Sequence, residues 1–187
     1  MTIKRSIFTI ISIFIVYATF VNVSEGIGIN PTREQMDKAI NYGSANHKEI
    51  FQAEYIVPAT FGNWPSFGGG LIKSKLVHVA VLSAMRTRGG KQITEEEVQE
   101  LIQKKDLTIS YRGGADVYKI KLIQGTKIIE PKEMIKPDMK DKDPDKHTLF
   151  IVASFPYSKL DPNAKTTVII EMDFGTKKYE VDFSSIY

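Results

Sequence analysis

Apolar positions change their rhythm along this chain near residue 106. Before it they recur at helical spacing, and after it they alternate. Met36, Ala39 and Ile40 share one face behind Thr32-Arg33-Glu34-Gln35, a capping box in which the Thr32 hydroxyl and the Gln35 side chain satisfy exposed amides reciprocally. Gly43 is expected to end that helix, since glycine accepts the left-handed conformation found at helix stops. A second helical stretch is expected over 46–55, anchored by Ile50 and Phe51 and closed by Pro58. Leu71 to Met85 is apolar on nearly every side and predicts a buried helix, although alternation of Val77, Val79 and Val81 keeps a strand as the alternative. Thr94-Glu95-Glu96-Glu97 opens a further helix with the same box, a buried stripe of Val98, Leu101 and Ile102, and Lys104 and Lys105 complementing the dipole at its end.

The second half reads as strands. Leu107, Ile109 and Tyr111 alternate with Thr108 and Ser110, and Tyr118, Ile120 and Leu122 alternate with Lys119 and Lys121. Leu149 to Phe155 is a continuous apolar run suited to a central strand. Val168, Ile170, Met172 and Phe174 alternate, as do Tyr179, Val181 and Phe183. Gly175-Thr176 fits a two-residue type II′ turn. That turn would pair Met172 with Tyr179, Ile170 with Val181, Val168 with Phe183 and Asp173 with Lys178, and would set Glu171 against Glu180. Short strands with regular turns and a closing hairpin predict an antiparallel sandwich. The stretch from Phe155 to Lys165, with Leu160-Asp161-Pro162-Asn163, resembles the crossing loop before the final hairpin of immunoglobulin-like domains. The resemblance spans 107–187, is one of pattern, and lacks the Cys and Trp landmarks of antibody domains. The fold class expected is therefore α+β: an N-terminal helical half, 27–106, packed on a C-terminal antiparallel immunoglobulin-like β-sandwich, 107–187.

The first 26 residues stand apart. Lys4 and Arg5 precede an almost unbroken apolar run from Ile7 to Val23, followed by Ser24-Glu25-Gly26, the layout of an export signal. The run is long for a cleaved peptide and close to the length that spans a bilayer, so an uncleaved N-terminal anchor is the alternative. Export predicts a periplasmic or extracellular location, with membrane contact only through this segment if it is retained. The chain has no cysteine, so its core must hold without disulfides, and an exported chain of this kind points to a bacterial envelope.

Beyond residue 26 there are 23 basic and 21 acidic side chains, which is no electrostatic footprint for nucleic acid. The densest basic cluster, Lys73, Lys75, Arg86, Arg88 and Lys91, is expected to be a solvated helix end. His47, His78 and His147 have no metal-ligand spacing, and His78 is expected to be a packed core residue. Asp141, Asp143 and Asp145 start a calcium-loop spacing, but Lys146 stands where glycine is needed and Val152 where a bidentate glutamate belongs. The stretch from Pro131 to Lys146 is expected to be a solvated loop. Gly68-Gly69-Gly70 lacks the Lys-Ser/Thr ending of a phosphate loop. No nucleophile motif is present, so neither a catalytic residue, a metal nor a cofactor is assigned.

The piece most suggestive of binding is 60–70, where Phe61, Trp64 and Phe67 sit among glycines and a proline. These aromatics either pin the loop or form a lip for a protein, peptide or envelope partner. Three functions follow: an exported non-enzymatic binding or structural module, a small extracytoplasmic hydrolase with its site between helical half and sheet, or a carrier of an apolar ligand.

Overall fold

The computed structural model describes residues 26–114, 116–136 and 150–187. The export segment, the Asp141–Asp145 spacing and His147 lie outside the described residues.

Among the described residues three α-helices precede residue 106: α1 (Arg33–Ala45), α2 (Lys75–Arg88) and α3 (Glu95–Gln103). Both predicted capping boxes form, at Thr32 with Gln35 and at Thr94 with Glu97. Gly43 does not stop α1, which runs on to Ala45. Asn46 ends it instead, with both its backbone N–H (3.0 Å) and its side-chain amide (2.9 Å) donating to the Tyr42 carbonyl. With Asn46 spent as a cap, 46–55 does not continue as a helix. Short 3-10 turns at Ile50–Gln52 and Val57–Ala59 take its place, and the Tyr42 hydroxyl accepts the Tyr55 N–H at 3.1 Å.

Nine strands form two antiparallel sheets among the described residues. The first holds β1 (Thr60–Gly62), β2 (Gly69–Lys73), β3 (Asp106–Arg112), β6 (Glu133–Ile135) and β7 (Phe150–Pro156), in the order β1-β2-β3-β7-β6. The second holds β4 (Val117–Gln124), β5 (Lys127–Ile129), β8 (Lys165–Met172) and β9 (Gly175–Asp182), in the order β5-β4-β8-β9. The architecture is mixed α+β. Its first sheet draws strands from both sides of residue 106, since β2 pairs with β3 along its whole length.

The stretch 71–85 is therefore not one helix. Ser74 divides it: its hydroxyl accepts the Val77 N–H and caps α2, leaving Leu71 and Ile72 in β2. All-round apolarity here has two causes. Leu71 and Ile72 point to opposite faces of β2 and both are fully buried, while Val77, Val79 and Val81 pack on several sides of α2. The face of the first sheet that carries Lys73 and Thr108 meets His78 of α2 and Leu101 of α3. The opposite face carries Phe61 and Tyr111, and Phe61 meets Tyr179 of the second sheet at 5.1 Å. The five-stranded sheet thus lies between the helices and the four-stranded sheet, and one apolar core joins all three layers.

The closing hairpin differs from its expected register. Met172 pairs with Gly175, Ile170 with Lys177, Val168 with Tyr179 and Thr166 with Val181. The turn is Asp173-Phe174, and Gly175 follows it with φ +136°, a value that side chains disfavour. A slip of four residues keeps each side chain on its expected face, so hydrophobic burial alone does not select between the two registers. Local pairing does. Glu180 leaves Glu171 and accepts a hydrogen bond from the Thr167 hydroxyl at 2.8 Å, while Glu171 pairs with Lys121. Phe183 leaves the hairpin for a terminal turn and is fully buried, whereas Phe174 at the hairpin tip is 94% exposed.

Two smaller expectations also change. A register shift between Val117 and Lys119 turns Val117 inward and Tyr118 outward, opposite to the predicted alternation. Part of the expected 131–146 loop is strand β6, which covers the edge of β7. The crossing segment before β8 is tied down from inside: the buried Gln124 amide donates to the Asp161 carbonyl and accepts the Asp161 N–H. No helix among the described residues is long and apolar enough to cross a membrane.

Candidate functional site

The three aromatics of 60–70 go to three different places. Phe61 is interior, its ring parallel to Tyr111 at 6.3 Å. Trp64, half-buried, meets Phe51 edge-on at 5.3 Å and Phe150 at 5.8 Å, and its enclosed indole N–H has no hydrogen-bond partner among the described residues. Phe67 is 61% exposed. The loop is closed over β2 by the Tyr179 hydroxyl, which donates to the Gly68 carbonyl at 3.0 Å, and by Arg112, which donates to the Pro65 carbonyl at 2.9 Å. Two of the three side chains thus hold the loop to the body, and one faces solvent.

The basic cluster expected at one helix end is divided between two. Arg86 pairs with Glu97, and Arg88 donates to the carbonyls of His47 and Lys48, all near the C-terminal end of α2. Lys73 and Lys75 stand at the other end, about 20 Å away at 1.5 Å per residue. There the start of α2, the end of α3 and the ends of β3 and β7 border an open cleft of about 470 Å³. Lys75, Lys104, Lys105 and Lys132 line it, with Ile29, Pro156 and Tyr157 as its apolar walls. Asp106, its one carboxylate among the described residues, is held by Lys132 at 3.0 Å.

Lys75 is the unusual member. It is only 8% exposed, and no acidic side chain among the described residues pairs with it. Its ammonium stands 5.6 Å from the Tyr157 ring centre. A cation–π contact contributes about 0.5–2 kcal/mol, and no carboxylate among the described residues adds to it. The stem is packed away while the cleft beside it stays open to solvent. Burial draws the Lys75 ammonium below the usual lysine range and raises the Tyr157 phenol. Lys73, beside it, is lowered by burial and then by Lys104. Ser74 completes the helix end, accepting from Val77 N–H while donating to a main-chain carboxylate oxygen of Tyr187.

His78 lies behind this cleft against Lys73, Lys104 and Thr108. Burial first, then Lys104 and Lys73, lowers its pKa to about 4. It stays neutral in the fold, while an unfolded histidine takes a proton near pH 6.5. The unfolded state therefore binds more protons as pH falls from 6.5 towards 4, and stability drops. The expected loss between pH 7.5 and 4.5 is about 2 kcal/mol after allowance for partial exposure. Glu34, Glu95 and Glu97, which Lys38, Arg33 and the Thr94 amide with Arg86 hold low, lose their contributions only below about pH 4.5. Thermal melts across this window should show the decline, and His78→Gln should flatten it. A decline unchanged by the substitution would assign it to other groups.

The other histidine described, His47, bonds through Nδ1 to the Ser44 carbonyl at 2.8 Å. Among the described residues no three His, Asp or Glu side chains converge on a metal position. The lysine cleft was not singled out by the sequence pattern, because its residues come from five separated segments. The one local signal is Lys75 itself, directly after a capping serine and before an all-round apolar helix. No family model, curated protein or solved structure matches the chain.

Proposed function

We propose that the chain is an exported, non-catalytic binding module of the bacterial envelope that takes an acidic group of its partner into the lysine cleft. The observation that carries this is Lys75, nearly enclosed, without an anionic partner among the described residues, and opening on a cleft where three more described lysines face one committed carboxylate. An anion would complete the pairing that Tyr157 leaves unfinished. The scaffold is read as an immunoglobulin-like sandwich extended by β1 and β2, and the antiparallel pairing of both sheets supports that. The export signature of residues 1–26 supports delivery outside the cytoplasm. Binding is favoured over hydrolysis because the polar groups at hand are already engaged: Asp106 by Lys132, and the Ser74 hydroxyl by Val77 and Tyr187.

Naphthalene-2-carboxylate and its neutral analogue naphthalene-2-methanol test the reading, titrated into the full chain at low salt. The carboxylate should bind saturably and weaken when Lys104 and Lys105 are both replaced by glutamine. Equal binding of the neutral analogue would make the cleft an apolar carrier site and remove the anionic reading.

A further inference from the structure

Resting on that reading of the cleft, we infer that its ligand is a phosphate monoester carrying an apolar or aromatic body, with the phosphate held at Lys75 and the body against Ile29, Pro156 and Tyr157. Three observations lead there. The first is charge. Lys75, Lys104 and Lys105 are not paired by Asp106, which Lys132 holds. A single carboxylate would neutralise one of them, whereas a phosphate monoester carries nearly two negative charges at neutral pH.

The second is the type of cation. Among the described residues every basic side chain lining the cleft is lysine, although arginines are present elsewhere in the fold. Ammonium groups are point charges that can approach a tetrahedral oxyanion from several sides, while the planar fork of arginine matches a carboxylate edge-on. The third is position and size. The first turn of α2 opens here, so its dipole adds to the lysine field at the place where Lys75 is enclosed. A cleft of about 470 Å³ is far larger than a bare phosphate, and the remainder of its wall includes the apolar surfaces named above.

The test compares 2-naphthyl phosphate with naphthalene-2-carboxylate and naphthalene-2-methanol, which share one body and differ in head. Titrated into the full chain at pH 7.5, the phosphate should bind at least ~10-fold tighter than the carboxylate. Its affinity should fall as pH drops through about 6, where the ester takes up a proton. Lys75→Met, a substitution that keeps an unbranched buried side chain, should lose at least ~10-fold for the phosphate and little for the neutral analogue. Lys104→Gln, on the rim, should weaken it to a smaller degree, and serves should Lys75→Met fail to fold. Vesicles with and without phosphatidic acid then separate the sources. Capture that needs both phosphatidic acid and Lys75 identifies a lipid headgroup, and binding of the soluble ester alone identifies a free one. If the carboxylate binds as tightly as the phosphate, the phosphate assignment falls and the acidic-group reading stands. If neither anion outbinds the neutral analogue, both fall.

Discussion

Gly43→Ala should destabilise the fold by about 2–3 kcal/mol, lowering the melting temperature by roughly 5–10 °C, even though alanine is the better helix former. Gly43 lies within α1, and its φ is not in the left-handed region. A Cβ there would stand 2.1 Å from the Ala80 carbonyl oxygen and 2.8 Å from its carbon, both backbone atoms of α2. Backbone cannot rotate aside as a side chain does, so the two helices must separate. Replacing glycine within a helix gains up to about 1 kcal/mol of propensity, and overpacking a rigid contact costs up to about 3 kcal/mol or somewhat more. The contact wins. Separation would also strain the Ser83 hydroxyl, which donates to the Ile40 carbonyl at 2.8 Å across the same contact. Thermal melts of the variant decide the matter: an unchanged or raised midpoint would mean that α1 and α2 do not meet at Gly43.

That glycine shows where sequence reasoning succeeds and stops. Helix starts were legible because a capping box is written in four consecutive residues, and both Thr32 and Thr94 fulfil it. The stop was misread at Gly43 because glycine serves two needs, a left-handed stop and a close approach, and only the neighbouring helix distinguishes them. The strands after 106 were legible from alternation. Their pairing was not, since the observed hairpin register keeps the same side chains inward as the expected one and differs in which polar partners meet across it. The division of 71–85 was hidden for a related reason. A strand buried on both faces and a buried helix give the same apolar run, and the deciding residue, Ser74, acts through one hydrogen bond to Val77.

The candidate site was less legible than the fold. Sequence proximity drew attention to Phe61, Trp64 and Phe67, and the fold sends them inward, against the flank and outward. It also grouped Lys75 with Arg86 and Arg88, which a helix of 14 residues holds apart. Lys104, Lys105 and Lys132 reach Lys75 only because β3 pairs with β7 and β6 follows on its far edge. Such a cleft is a product of strand order, and local spacing carries no trace of strand order.

Gly69→Ala should have the largest effect at the aromatic loop, about 3–4 kcal/mol, together with a red shift of tryptophan emission. A Cβ at Gly69 would lie 1.9 Å from the Trp64 backbone nitrogen and 2.4 Å from the Asn63 carbonyl carbon, so the loop would have to lift from β2. Lifting removes Trp64 from Phe51 and Phe150 and opens its enclosed indole N–H to water. Two losses then add: strain in the strand, and the aromatic contacts of a half-buried tryptophan. The readout is unambiguous because Trp64 is the only tryptophan in the chain. Gly43→Ala, acting at the other side of the helices, should lower the melting temperature without moving the native emission. A Gly69→Ala variant with native stability and native emission would show that Trp64 does not rest on β2. An emission maximum typical of an exposed indole in the unaltered protein would do the same. In either case Trp64 would return beside Phe67 as a side chain free to meet a partner.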